Sequence, residues 1–395
     1  MLPFDIAKQK LLDSARPLTD TETLDLVDAF GRVLAETLVS PLTVPPFANA
    51  AMDGYAVRAA EVPAPETRLP VRLRVAAGDP PGVLPAGSAA RIFTGAALPA
   101  GADSIVMQED CLAEGDEVLI RVPPVPGQWV RPAGGHLEAG QLLLAAGTRF
   151  TAASMGLAAA VGIARVLVFR PLRVAIFSTG SELRTPGEPL ASGQIYNANR
   201  YVMRGFLREL GAEVIDLGIV RDDYEATRAA LRRAAEDADV IVTSGGMSEG
   251  DEDHVTSAVR AEGRVDVWKV ASKPGKPLAF GTVGGTPFIG LPGNPVAVWV
   301  GMRVMVSPYL RRCQNMSELE PPPERRRADF NYANGNRLEF IRVRRNDRGG
   351  LDRFHTQDSS IVASAAWCDG LAAIPAGATV NPGDLVDYLP AVLFR

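Results

Sequence analysis

The sequence predicts a multidomain α/β plus β protein. It has a mostly parallel three-layer α/β domain, a small β insertion domain, a helical/linker domain split around it, and a C-terminal β-barrel-like domain. Three observations lead there. Between residues 172 and 310, short β-branched apolar runs alternate with segments of helical period, the signature of a parallel sheet covered on both faces. Segments 71–140 and 339–388 read instead as short strands broken by Gly and Pro. Proline clusters at Ser40-Pro-Leu-Thr-Val-Pro-Pro46 and Pro321-Pro-Pro323 mark joins between these regimes. The expected division is 1–45 plus 140–170, 46–139, 171–318 and 319–395, with the first helix packing on the α/β domain.

The chain's 395 residues suit two to four domains, and 47% hydrophobic with 22% charged residues is the profile of a globular protein with real cores. A net charge of −5 disfavours a nucleic-acid partner, which would call for a basic face. Cys111, Cys313 and Cys368 lie far apart without a CxxC, so neither a disulfide framework nor a thiolate zinc site is expected, and a reducing compartment fits. The start carries no basic-then-apolar leader pattern, and the longest apolar stretch, 152–169, is Ala- and Gly-rich and carries Arg165. It reads as a core helix followed by a strand. A cytoplasmic protein without membrane contact is expected.

In order along the chain, residues 4–38 carry helical spacing, with Thr19, Asp20 and Thr21 as a cap and Gly31 as a break. Asp53-Gly54 is by default a turn dipeptide, set oddly among small and apolar residues. Strands are expected at 71–77, 90–93, 104–108 and 118–122, with Thr94 at the end of the second. The pattern turns helical again over 141–169. In the α/β region, strands are expected at 172–177, 214–220, 240–243, 265–270 and 286–289. Helices are expected over 199–210, stopped by Gly211, over 222–235, opened by a capping box at Asp222-Asp-Tyr-Glu225, and from 296 to 310. The run Arg325-Arg-Arg327 reads as a solvated linker. Strands follow at 339–344, 370–374 and 384–388.

The chemistry lies in four loops that each follow a strand: Thr179-Gly180-Ser181-Glu182, Ser244-Gly245-Gly246, Lys273-Pro-Gly-Lys276 and Pro292-Gly293-Asn294. In doubly wound sheets, ligands bind outside the carboxyl ends of the strands, so these loops should meet at one edge. Glycines let backbone N–H groups approach an anion, and lysines supply charge. The carboxylates Asp251, Glu252 and Asp253 follow the Gly-Gly turn, a pattern that suits Mg²⁺ held against a phosphate. There is no GxxxxGK[ST] loop and no HExxH spacing, and His136, His254 and His355 are scattered. What remains is a site that binds a phosphorylated small molecule with Mg²⁺ and works by positioning and electrostatics.

At this point the sequence resembles the molybdopterin molybdenumtransferases, the MoeA family that includes the E domain of gephyrin. The matching motifs are Ala51-Met-Asp-Gly-Tyr-Ala-Val57, Arg91-Ile-Phe-Thr-Gly-Ala96, Ser178-Thr-Gly-Ser-Glu-Leu183, Gly193-Gln-Ile-Tyr-Asn197, Ser244-Gly-Gly246, Lys273-Pro-Gly-Lys-Pro277 and Gly290-Leu-Pro-Gly-Asn-Pro-Val296. The resemblance implies an α/β domain of the molybdopterin-binding type in an elongated homodimer. It implies Mg²⁺-dependent insertion of molybdate into adenylylated molybdopterin with release of AMP. The molybdopterin adenylyltransferase and molybdoenzyme chaperones are further candidate partners.

Carried over by position, the resemblance assigns Asp53, Thr94, Glu182, Asp222 and Asp253 to catalysis, with Asp53 and Thr94 reaching across the dimer. It assigns Asp253, Asp53 and Glu182 to the metal. Thr179, Gly180, Ser244, Gly245, Gly246, Lys269, Lys273, Lys276, Pro292, Gly293, Asn294 and Ser359 would bind pterin, nucleotide or molybdate. Three departures stand out: His136 where the family usually has an acid, Ala297 where serine is common, and Asp358 where glycine usually precedes Ser359. They support a competing expectation of a catalytically weak paralogue that binds molybdopterin or scaffolds other proteins; a tungstate-specific homologue is a further alternative, because molybdate and tungstate are nearly the same size.

Overall fold

The computed structural model describes residues 1–246 and 254–391. Its centre is a six-stranded sheet in the spatial order Glu213–Val220, Arg173–Thr179, Val240–Ser244, Thr286–Leu291, Pro277–Val283 and Gly263–Lys269. The first three pairings are parallel and the last two antiparallel. The strand Pro277–Val283 has no counterpart among the sequence expectations. It follows the Pro- and Gly-rich turn at 274–275, which masks its start.

The alternation of side chains along the central strands explains the layering. Val174, Ile176, Val240, Val242 and Ile289 face one way, into a core shared with Phe4, Ala7 and Leu11 of the first helix (Phe4–Asp13) and with Met203, Phe206 and Leu207 of the helix Asn199–Glu209. Ala175, Phe177 and Ile241 face the other way, onto Leu231 and Ala234 of Tyr224–Asp237 and onto Val255, Ala258 and Val259 of His254–Glu262. Each fully buried large apolar side chain contributes about 1.5–3 kcal/mol, so the strands are held rigidly from both faces. That rigidity fixes where their carboxyl ends lie.

Two further six-stranded sheets flank this core. One runs Ser104–Met107, Gly54–Val57, Ala89–Ile92, Thr67–Val75, Glu117–Ile120 and Cys111–Glu114. The other, C-terminal, begins with Ser272–Lys273 from the α/β region and continues through Leu338–Arg345, Gly370–Ile374, Leu385–Pro390 and Glu324–Arg327, with Leu351–Arg353 alongside. The borrowed pair Ser272 and Lys273 lies parallel to Leu338 and Glu339. It ties the α/β unit to the C-terminal sheet.

Three local expectations fail, each for a tertiary reason. The helical pattern across 19–38 breaks down because Thr21–Asp25 pairs antiparallel with Arg165–Phe169, and Leu38–Val39 pairs with Leu142–Leu144. The helix in the second half of this region is confined to Ala152–Ala160, capped by a reciprocal Thr151–Ser154 box. The basic run 325–327 is not a linker but part of the strand Glu324–Arg327, where Arg325 meets the cross-strand carboxylate of Asp387 at 2.9 Å.

Candidate functional site

The carboxyl ends of the central strands bring distant loops into contact. Ser178 and Ser244 are register partners on adjacent strands, with hydroxyls 3.0 Å apart in the interior. One residue further, Gly245 adopts φ +89 and passes so close to the neighbouring strand that a Cβ would lie 2.6 Å from the Thr179 carbonyl oxygen. Gly246, at φ +64, would meet Val255 in the same way. These two positions demand glycine both for conformation and for close approach. Gly293 lies against Gly245, and Gly275 packs near Pro292, so all four loops meet.

Side chains then lock the loops together. Asn199 donates from Nδ2 to the Gly293 carbonyl at 2.7 Å, and Asn294 donates to Ser359 Oγ at 2.9 Å. Asn197 accepts from Arg200 N–H at 3.1 Å and from the Ser178 hydroxyl at 3.4 Å. Buried groups at this edge without a hydrogen-bond partner among the described residues include the Thr179 hydroxyl and Asn197 Nδ2. An unmade hydrogen bond on a buried polar group costs about 1–3 kcal/mol, so such orphans at a strand end favour a site that a polar ligand completes.

The predicted residues fall into three groups. Thr179, Gly180, Ser244, Gly245, Gly246, Pro292, Gly293 and Asn294 line the edge just described. Glu182 is exposed there, its carboxylate folded over Gly180, where a Cβ would lie 2.6 and 2.7 Å from its oxygens. Asp222 is half-buried two residues beyond the end of the strand Glu213–Val220. It does not cap the following helix. Asp223 is the N-cap and accepts from Ala226 N–H at 2.8 Å, which leaves the Asp222–Glu225 capping box unformed.

A second group faces an adjoining cleft of about 550 Å³ lined by Lys273, Pro274, Gly275, Arg337, Thr356, Gln357, Asp358 and Ser359. Lys273 is paired with Glu339 at 2.8 Å, while Arg337 donates to the Ser272 carbonyl at 3.1 Å and has no carboxylate partner among the described residues. Asp358 turns its carboxylate to Ser360, whose hydroxyl and N–H hold it below the usual carboxylate range. Lys269 and Lys276 stand exposed at the base of the same turn, where Val270 N–H donates to the Lys276 carbonyl.

The third group stands apart on the insertion sheet. Asp53 Oδ1 accepts from both the Thr94 hydroxyl and the Thr94 N–H at 2.7 Å. The hydroxyl first, then the N–H, hold this exposed carboxylate below its ordinary range. Gly54 makes the arrangement possible, because any Cβ there would strike the Val106 carbonyl of the paired strand. Arg91 bridges Gly54 O at 2.9 Å and Gln108 at 2.7 Å beside the pair.

Asp251, Glu252 and Asp253 lie outside the described residues. Among the described residues, no three His, Cys, Asp or Glu side chains gather as a metal site. Asp53 and Glu182 therefore do not form one by themselves among the described residues. Sequence reasoning missed Arg337, Glu339, Asn199 and Gln357. Arg337 follows the turn-like Asn334-Gly335-Asn336 and directly precedes the strand Leu338–Arg345, so only the pairing of 272–273 with 338–339 reveals its place.

Loops gathered at the ends of a mostly parallel sheet, with a cleft bearing Lys273 and Arg337 against an added β sheet, define a multidomain α/β protein with its candidate site at the carboxyl ends of the strands. Family models match three consecutive regions: the MoeA N-terminal region (domains I and II) over 2–162, a probable molybdopterin-binding domain over 175–312, and the MoeA C-terminal region (domain IV) over 326–391. The chain is 41% identical to the molybdopterin molybdenumtransferase of Haemophilus influenzae, over 82% of this chain and 80% of that one. It is 38% identical to the molybdopterin molybdenumtransferase of a Nostoc species, over 91% and 86%. A crystal structure of the molybdopterin biosynthesis MoeA protein of Pyrococcus horikoshii superposes with a TM-score of 0.84 at 28% identity, covering 99% of this chain and all of that one (100%). The chain belongs to the MoeA family. No helix among the described residues is long and apolar enough to cross a membrane.

Proposed function

We propose that this chain is a molybdopterin molybdenumtransferase of molybdenum cofactor biosynthesis. Adenylylated molybdopterin lies along the strand-end loops, molybdate enters the adjoining cleft, and AMP is released as the pterin's dithiolene sulfurs take the metal. The observation that carries this reading is the contact of four sequence-distant loops with one another and, through Asn294 and Ser359, with the cleft that holds Lys273 and Arg337. The names of the relatives support it.

In this reading the glycine turns bring backbone N–H groups to phosphate oxygens, and the orphaned Thr179 hydroxyl and Asn197 amide meet polar atoms of the ligand. Lys273 and Arg337 face a tetrahedral oxyanion, the guanidinium through its planar fork of donors. Asp222, free of any capping duty, serves the reaction at the edge beside Glu182. Asp53, kept ionised by Thr94, is presented by the partner subunit of a homodimer. Dependence on Mg²⁺ rests on Asp253, in the acidic run Asp251-Glu252-Asp253, together with Asp53 and Glu182. The test is direct: purified protein given adenylylated molybdopterin, molybdate and Mg²⁺ should release AMP in step with molybdenum insertion. Tight pterin binding without AMP release would instead favour the paralogue that only holds molybdopterin.

A further inference from the structure

Glu339 is 2% exposed, yet it belongs to none of the motifs above and does not line the cleft. It stands directly behind Lys273, whose side chain is 46% exposed and whose ammonium reaches Glu339 Oε1 at 2.8 Å. The contact is an ion pair off the line of a hydrogen bond, so Oε1 has no well-directed donor among the described residues. Register explains the meeting. Lys273 and Glu339 are cross-strand partners where the α/β turn joins the C-terminal sheet. The Tyr332 hydroxyl is pushed up by burial and by its hydrogen bond to the same carboxylate.

A buried carboxylate is costly to keep, and a hydrophobic residue of similar size would pack the sheet at least as well. Its presence beside one of the two cations of an anion cleft calls for a reason in the electrostatics. We propose that Glu339 is a positioning residue that holds the Lys273 ammonium at the cleft wall and offsets its charge, so that the cleft binds a tetrahedral oxyanion loosely enough to pass it on. Lysine is a flexible point charge, and without a partner its ammonium would sweep the solvent. With Glu339 behind it, Lys273 is placed but half-neutralised, and Arg337 remains the uncompensated cation. The inference deepens the reading of the cleft as the molybdate site and rests on it.

The test is calorimetric titration of the full-length protein with sodium molybdate at low ionic strength. Glu339→Gln keeps the shape and removes the charge. It should tighten molybdate binding on the order of tenfold, a Coulombic gain already discounted for the half-exposed lysine. Glu339→Asp keeps the charge and should stay within about twofold of wild type, because the carboxylate still opposes the anion. Arg337→Gln should weaken binding. A residue that merely packs the sheet would weaken binding in both Glu339 variants, and that result, or an unchanged affinity in Glu339→Gln, overturns the inference. Molybdate binding that is absent, or indifferent to Arg337→Gln, overturns the reading of the cleft itself and the inference with it.

Discussion

Replacing Gly245 by alanine tests whether the close approach of two strand ends builds the ligand edge. Two costs add. The backbone sits at φ +89, where a Cβ costs about 1–2 kcal/mol. The new Cβ would also lie 2.6 Å from the Thr179 carbonyl oxygen, nearer than real Cβ atoms approach, and backbone cannot swing aside as a side chain can. The ends of Arg173–Thr179 and Val240–Ser244 must therefore part by several tenths of an ångström. We expect a total of about 2–4 kcal/mol of destabilisation, within the range of strained-backbone substitutions. Gly187→Ala is the control, with φ +99 but nothing within 4 Å of its Cβ, so it carries only the conformational cost of about 1–2 kcal/mol. Urea unfolding should separate the two variants. Binding of adenylylated molybdopterin should fall tenfold or more in Gly245→Ala, since small displacements in a positioned site are costly, and stay unchanged in Gly187→Ala. If the two variants unfold and bind alike, the approach of Gly245 to Thr179 does not shape the site.

Asp223→Ala should lose about 1 kcal/mol of stability through its cap, whereas Asp222→Ala should leave the unfolding transition in place and lower turnover. Equal unfolding midpoints with equal activities would refute the division of labour. Thr94→Val should return the Asp53 carboxyl toward the ordinary carboxylate range, measurable by carbon-13 titration. Because the native value is depressed, the Thr94 contacts stabilise above the ordinary range and are lost only as pH falls through the lowered value, so no effect of this pair is expected between pH 6 and 8. Asp253→Ala should abolish metal-dependent AMP release without unfolding the protein; activity that survives would remove it from the metal site. Burial pushes Cys313, Cys368 and Cys111 up to about 11, so iodoacetamide should alkylate the folded protein slowly at pH 7.5.

Much of the α/β unit was legible because its signals are local and repeated. Buried β-branched runs, the helix stripe of Val202, Phe206 and Leu210, and Gly211 at φ +72 each say one thing. The convergence of loops was legible from topology alone, because parallel strands point their carboxyl ends one way. The failures share one physical cause. Thr21–Asp25 has helical spacing but finds a strand partner about 140 residues later, and 324–327 looks solvated until Leu385–Pro390 pairs with it. Asp222 and Asp223 are both acceptable caps by sequence, and only the backbone decides between them. Arg337 and Glu339 were invisible for the same reason. Their roles depend on a two-residue strand, Ser272–Lys273, that leaves its own unit to join another sheet.

The most direct test of the central claim is a crystal structure with adenylylated molybdopterin and molybdate bound. The account predicts the pterin and its phosphates against Thr179, Gly245 and Asn294, with the oxyanion between Lys273 and Arg337. A ligand seated away from the ends of Arg173–Thr179 and Val240–Ser244, with the cleft facing neither phosphate nor molybdate, would contradict it.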